Sequence, residues 1–260
     1  IRYRYPNIRV SATAYPKYPR TNVAIDYYLP EALKGTIQLD VLDENQQHII
    51  TIVSDNSSPK RPEEVIEVMS TNEAIYLIDK RLSKKKGLNR FHWDLRHPGP
   101  WAKDVRRRHQ NGPMVAPGVY TVRLTVGEQV IEQLVEIVMD PRVSENGITE
   151  SDIRKQIDLQ LQIGALLSEA RKFQDDLEAE ANTLKGKKAK DKAGRYAEIN
   201  QILKQLKNDS GAYPQQMLVS QISYLLNMIS NADQVAGDDA LKRFEELKQQ
   251  VARLKDATKL

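Results

Sequence analysis

The side chains best suited to hold a ligand occupy one short stretch of the sequence. They are Trp101, Arg106, Arg107, Arg108 and His109. Guanidinium groups pair with carboxylates or phosphates, and an indole ring stacks on sugars or bases. The stretch belongs to a Pro- and Gly-containing segment, residues 97–115, that predicts a long irregular loop, and such loops often carry function. We therefore predict a binding loop made of these five residues.

The charge of this loop favours some partners over others. Asp104 lies within it, and the whole chain has 39 Lys+Arg against 35 Asp+Glu, a net charge of only +4. Nucleic-acid-binding domains usually carry a stronger basic excess, so we expect no nucleic-acid partner. The pattern is typical of a solvated loop or of a contact with an acidic protein surface. A carbohydrate platform around Trp101 is a further alternative.

The chain shows no recognisable catalytic or metal-binding pattern. It has no Cys, which excludes disulfides, thiolate nucleophiles and Cys-ligated metals. No nucleophile elbow, P-loop or dinucleotide-binding fingerprint occurs. None of the histidines belongs to the i, i+4 pair of a helical zinc site: His48, His92, His97 and His109. We predict no catalytic residue, no metal ligand and no cofactor site, and hence that this chain is not an enzyme.

The prolines divide the chain into two parts of different character. Of the 12 prolines, all except Pro214 lie in residues 1–142, where they punctuate short segments and exclude long helices. The remainder is dominated by Ala, Gln, Leu, Lys and Glu, a helical composition. No apolar run approaches the roughly 18 residues that a membrane span needs. The sequence predicts two domains, 1–142 with 1–20 as an extended lead-in, and 143–260, and no membrane span.

Alternating side chains predict antiparallel strands in the first part. The segment 119–126 alternates apolar and polar residues, and the turn at Gly127 leads into a returning strand. Trp93 alternates in phase with Phe91 and Leu95, so we expect its ring in the core. Short strands at this spacing are typical of an Ig-like or fibronectin-like antiparallel β-sandwich.

Apolar residues at steps of three and four predict helices in the second part. Thr149 and Asp152 resemble a capping box at the start of a stripe that predicts one long helix over residues 150–184. Each stripe is stable only when it is buried against others, which favours an antiparallel bundle of about four helices. We expect the adjacent Asp175 and Asp176 to face solvent. The predicted fold class is α+β, an N-terminal sandwich followed by a C-terminal helical bundle.

Several segments resemble a family of exported bacterial proteins. Residues 87–100 (GLNRFHWDLRHPGP), 116–126 (APGVYTVRLTV) and 139–142 look like the C-terminal region of proteins whose N-terminal part is a sortilin-type, BNR-repeat (Asp-box) β-propeller. The similarity continues in three more segments: 24–29, 213–225 and 232–240. Members of this family are often labelled glycosyl hydrolases. A weaker resemblance, to the Ig-like fold of flagellar hook-cap proteins, rests on the Trp-Asp and Pro-Gly-Val-Tyr sequences.

The resemblance implies an accessory module and not the propeller itself. No Ser-x-Asp-x-Gly-x-Thr-x-Trp box occurs in the 260 residues, so the propeller's functional residues have no counterpart here. We expect a noncatalytic structural module that acts through protein–protein contacts, its partner being another protein or the N-terminal propeller of the same parent chain. The family also implies export, to the periplasm, the cell surface or the medium. The alternative is a carbohydrate-binding module that serves a glycoside hydrolase.

Overall fold

The computed structural model describes Arg2 and residues 21–54, 82–104, 112–185, 190–211 and 213–258. Contacts divide the chain into two compact units. The first comprises Ile1–His97 and Met114–Ser144, and the second comprises Pro98–Pro113 and Glu145–Leu260. The described residues 98–104 and 112–113 therefore group with the helices, although strands precede and follow this segment in the sequence.

The described residues of the first unit form two antiparallel sheets. The strands are β1 Val23–Leu29, β2 Ile37–Leu42, β3 His48–Val53, β4 Gly87–Trp93, β5 Gly118–Val126 and β6 Gln129–Ile137. Strands β1 and β4 form a two-stranded sheet, and the other four form a sheet in the order β3-β2-β5-β6. Every pairing is antiparallel.

Side chains from both sheets enter one apolar core. Phe91 and Trp93 project into it from β4, and Leu39 and Tyr120 from the larger sheet. The indole of Trp93 is only 1% exposed, and it meets the ring of Tyr120 edge to face, with centroids 5.7 Å apart. The prediction that Trp93 is a core residue is confirmed.

The β5–β6 hairpin follows its predicted turn. Val126 pairs with Gln129, which leaves a two-residue loop. Gly127 has a φ of 59°, whereas Glu128 is not among the residues of positive φ. Glycine in the left-handed region at the first loop position, followed by a residue of negative φ, is the combination that a type II′ turn requires.

The other described elements are helices, so the predicted α+β class is confirmed. The long helix spans 35 residues, as predicted, and begins with a complete capping box between Thr149 and Asp152. No helix in the described ranges is long and apolar enough to cross a membrane. The bounds are α1 Pro141–Glu145, α2 Glu150–Leu184, α3 Lys190–Leu206, α4 Leu218–Ser230 and α5 Asp238–Ala257.

The four long helices share a second apolar core in which α2 is the common partner. Helices α3, α4 and α5 each contact α2. Ile163 and Ala170 of α2 are fully buried in this core, together with Ile199 of α3, Ile222 of α4 and Leu247 of α5. The apolar stripes predicted from helical spacing thus face one another.

Two buried glutamines of α2 donate hydrogen bonds to backbone carbonyls at the C-terminal end of α4 and just beyond it. The Nε2 of Gln156 donates to the carbonyl oxygens of Ile229 and Ala232, each at 2.7 Å, and that of Gln160 donates to Ile229 O at 2.9 Å. The last carbonyls of a helix have no partner within the helix. These side chains supply the missing donors, so the end of α4 is held by side chains of α2.

We predict that Trp93→Ala destabilises the protein by about 3–5 kcal/mol, because a large ring leaves a closely packed core. The matched control is Tyr28→Ala on the neighbouring strand, since the Tyr28 side chain is 67% exposed. The control should shift the free energy of unfolding by less than about 0.5 kcal/mol. Urea unfolding measures both, and equal midpoints for the two variants would contradict the burial of Trp93.

A second prediction concerns the glutamine cap. Gln156→Leu should cost about 1–3 kcal/mol, because it places an apolar side chain beside two carbonyls, removes the donor of Ala232 O and leaves Ile229 O with the bond from Gln160 alone. Gln162→Leu makes the same exchange at an exposed position of the same helix and should be nearly neutral. If both variants unfold at the wild-type urea concentration, the hydrogen bonds of Gln156 do not stabilise the end of α4.

Candidate functional site

The predicted binding loop is described in its first part only. Trp101 lies among the described residues, and Arg106, Arg107, Arg108 and His109 lie outside them. Trp101 is half-buried, and its segment belongs to the helical unit. The described part of the site consists of residues 98–104 and the α2 residues that they contact.

Both backbone polar groups of Trp101, the N–H and the carbonyl, are hydrogen-bonded to side chains of α2. Its N–H donates to the Oγ of Ser168 at 2.9 Å, and its carbonyl accepts from the Nη1 of Arg171 at 3.1 Å. The Ser168 hydroxyl in turn donates to Gly164 O at 2.8 Å. Pro100, the residue before Trp101, lies over Gly164, where an added Cβ would meet the Pro100 Cγ at 3.7 Å, an ordinary van der Waals distance. The loop thus starts from a defined position on α2.

An ion-pair network continues this attachment. The Nζ of Lys103 binds Asp175, and it lies 3.9 Å from the Oε2 of Glu178. The other oxygen of Glu178 accepts from the Nζ of Lys207, just after α3, at 2.9 Å. Of the acidic pair expected to face solvent, Asp176 is exposed, and Asp175 is partly exposed and paired with Lys103. The signal in the sequence was an acidic pair on a helix, but its basic partner is 72 residues away.

The charges of this network raise the pKa of Lys103 and lower that of Glu178. Hydrogen bonding to Asp175 raises the pKa of Lys103. Burial by itself raises the pKa of Glu178, but the hydrogen bonds from Lys207 and Gln174 and the nearby positive charges together outweigh it. The pKa of Glu178 therefore lies below its ordinary value of 4.5. Both groups are held in their charged forms at neutral pH.

Arg171, on the same helix, is half-buried. Burial lowers the pKa of its guanidinium below the ordinary value, the direction expected when a cation loses solvent. Its hydrogen bond to the Trp101 carbonyl places a positive charge next to the indole-bearing residue. This geometry orients a loop; it brings together no nucleophile and base, and no pair of catalytic carboxylates.

A second surface, which sequence reasoning missed, lies between α4 and α5. It is an open groove of about 540 Å³. Its floor is apolar and its rim carries amide and charged groups. The lining residues are Gln216, Gln221, Tyr224, Leu225, Met228, Asp239, Ala240 and Arg243. The guanidinium of Arg243 is oriented by Gln221 Oε1 at 2.6 Å and by Glu246 Oε2 at 2.7 Å, so the rim is ordered by its own hydrogen bonds.

The groove had a signal in the sequence. Leu218, Ile222, Leu225 and Ile229 form the apolar stripe that buries α4. Tyr224 and Met228, four residues apart, form a second apolar row beside it, and both are exposed. A surface helix needs only one such stripe for its core, so the additional row indicates a second contact. Leu241 adds an exposed apolar side chain on α5.

Within the described ranges, no set of three His, Asp or Glu side chains is placed to hold a metal ion. No family model matches the chain, and no significant similarity links it to a curated protein or to a solved structure.

The lowered pKa of Glu178 predicts a pH dependence of stability. Because the pKa is lower in the folded than in the unfolded state, the stabilisation is complete above about pH 4.5 and is lost as the pH falls through the folded pKa. Glu178→Gln removes this component, so its free energy of unfolding should fall less steeply than that of the wild type between about pH 5 and about pH 3.

The matched control is Glu245→Gln on α5, whose carboxylate makes an exposed contact with Lys248. Urea unfolding at several pH values measures all three proteins. The control should keep the wild-type slope. A wild-type slope in Glu178→Gln as well would show that the Lys103–Glu178–Lys207 network does not stabilise the folded state.

Proposed function

We propose that this chain is a noncatalytic accessory module that acts through protein–protein contacts. The observation that carries the proposal is the apolar groove between α4 and α5. Tyr224, which lines it, is 70% exposed, and Met228, which also lines it, is 41% exposed. Contiguous exposed apolar side chains on a folded protein mark interaction surfaces, and Tyr and Met are frequent at such surfaces.

The distribution of exposed aromatic residues favours a protein over a carbohydrate as the partner. A sugar-binding sheet face presents several aromatic rings in a row. Among the described strands, Tyr28 is the one aromatic side chain that is exposed, while Tyr27, Phe91, Trp93 and Tyr120 are buried. Trp101 is half-buried, with its backbone bonded to α2, so it offers a single ring at most. Protein binding is therefore the proposed function, and carbohydrate binding is the alternative.

The proposal includes a finer architecture. The two antiparallel sheets are assigned to an Ig-like or fibronectin-like sandwich, and the four long helices to an antiparallel bundle. Support for the sandwich is the single apolar core that receives Phe91 from one sheet and Leu39 from the other. Support for the bundle is the core shared by α2, α3, α4 and α5.

The proposal also assigns the chain to the C-terminal region of exported sortilin-type, BNR-repeat proteins. Support comes from the segments that carry the resemblance, since two of their aromatic residues have defined structural roles. Trp93 is buried, and the Tyr120 hydroxyl donates to Ala116 O at 2.8 Å across the Pro117-Gly118 turn. The partner is then the propeller of the same parent chain or another protein of the cell envelope or surface.

Site-specific photo-crosslinking in the cells that produce the protein tests this assignment. A photoreactive side chain at Tyr224 or Met228 should crosslink to one protein, or to one other region of the parent chain, identified by mass spectrometry. The same group at Glu245, on the same helical unit but outside the groove, should give no such product. The variant Tyr224→Ser/Met228→Ser should lose the partner and unfold within about 0.5 kcal/mol of the wild type, since both positions are exposed.

The carbohydrate alternative makes a different prediction for the same proteins. Retention of the chain on an insoluble polysaccharide should then depend on Trp101→Ala and not on Tyr224→Ser/Met228→Ser. Absence of any crosslinked product at positions 224 and 228, combined with Trp101-dependent retention on polysaccharide, would replace the proposed function by the alternative.

A further inference from the structure

Strand β6 ends the four-stranded sheet with an edge that the described residues leave open. Its neighbour in the sheet is β5. Over its nine residues, both faces of β6 are largely exposed. Leu134 is 72% exposed on one face and Ile131 is 58% exposed on the other. Long exposed edge strands with apolar side chains are templates for pairing with another strand, and soluble proteins usually protect them.

The hairpin fixes which backbone groups of β6 face outward. In a two-residue hairpin the closing pair, here Val126 and Gln129, exchanges both hydrogen bonds, and hydrogen-bonded pairs then alternate along the ladder. Odd-numbered residues of β6 therefore bond to β5. The N–H and C=O groups of the even-numbered residues point to the open edge: Val130, Glu132, Leu134 and Glu136.

The end of this edge is already occupied. The N–H of Arg2 donates to Val138 O at 3.0 Å, and Arg2 forms a parallel bridge with Met139. Val138 continues the even-numbered series, so Arg2 lies on the open side of the strand. A partner strand is thus limited to residues 129–137, the span of β6 itself.

The sequence of β6 is complementary to itself in one antiparallel register. In this register Gln129 lies opposite Ile137 of a second copy, so all nine residues of the two strands overlap. The even-numbered residues, whose backbone groups point to the open edge, then lie opposite one another. Ile131 then faces Val135, and Gln133 faces its own copy. On the other face Val130 lies opposite Glu136, so no two carboxylates oppose each other.

The neighbouring registers are less favourable. A shift of two residues in one direction places Glu132 opposite Glu132, and in the other direction Glu132 opposite Glu136. Like charges directly opposite in a sheet are destabilising. The second shift also requires Val138, which Arg2 occupies. In the favoured register the charge of Glu132 is compensated within its own chain by the Nε of Arg123, 2.5 Å away.

We propose that two copies of this chain associate through antiparallel pairing of β6 with β6, centred on Gln133, so that their four-stranded sheets join into one continuous sheet. The surface belongs to the strand unit and is separate from the α4–α5 groove. The proposal therefore does not depend on the function proposed for that groove, and the two are tested by different substitutions.

In this register, the sign of a charge introduced at position 130 determines whether the dimer is stabilised or destabilised. Val130→Glu places a carboxylate opposite Glu136 twice per dimer, whereas Val130→Lys places an ammonium there. Within its own chain Val130 lies opposite Thr125, so both substitutions are mild in the monomer. The dimer dissociation constant of Val130→Glu should be at least roughly tenfold higher than that of Val130→Lys. Adding Glu136→Lys to Val130→Glu should restore the dimer.

Analytical ultracentrifugation of the full chain, whose monomer mass is 29.7 kDa, measures the dissociation constants. Amide hydrogen exchange above and below that concentration supplies a second readout. On dimerisation, the amides of Glu132 and Leu134 should gain protection, whereas those of Ile131 and Gln133, already bonded to β5, should change little. Tyr224→Ser/Met228→Ser should leave the dimer intact.

Three results would overturn the proposal. The first is a monomer at every accessible concentration. The second is a dimer whose dissociation constant is the same for Val130→Glu and Val130→Lys, or one that Tyr224→Ser/Met228→Ser abolishes. The third is protection of the even-numbered β6 amides in the monomer, which would mean that another segment of the chain already occupies the edge.

Discussion

The burial of one face of α2 is the constraint on which the helical unit depends. Isolated helices of this composition are marginal in water, and stability comes from the apolar stripe that each helix buries. At about 50 Å, α2 is long enough to offer a continuous stripe to three other helices. Because α3, α4 and α5 all contact α2, their positions relative to one another follow from the order of buried residues along this single helix.

Polar residues of α2 add specificity to this packing. An apolar stripe alone permits sliding and rotation, whereas a buried hydrogen bond is satisfied in one arrangement only. Gln156 and Gln160 accomplish this at the end of α4, where they donate to carbonyls that the helix itself cannot satisfy. Ser168 and Arg171, about two and three turns beyond Gln160, hold the backbone of Trp101 in the same way.

The surfaces left uncovered differ in kind between the two units. On the helical unit, an extra apolar row on α4 borders a groove whose rim is ordered by Arg243 and Gln221. On the strand unit, the open feature is a backbone edge whose even-numbered groups face outward. The first suits a partner that fills a groove with side chains, and the second suits another strand. Both rest on rigid cores, which lets a surface be specific without loss of stability.

Local and periodic features were predictable from the sequence by itself. The capping box at Thr149, the length of α2, the Gly127 turn and the core position of Trp93 depend on residues within one element, and their spacing determines them. The attachment of residues 98–104 to the helices, the pairing of Lys103 with Asp175 and the caps of Gln156 depend on groups about 70 residues apart. The exposure of both faces of β6 depends on its place at the end of a sheet. Alternation in a sequence shows which side chains share a face, but only the tertiary structure decides whether anything covers that face, because burial is a property of the neighbours and not of the strand.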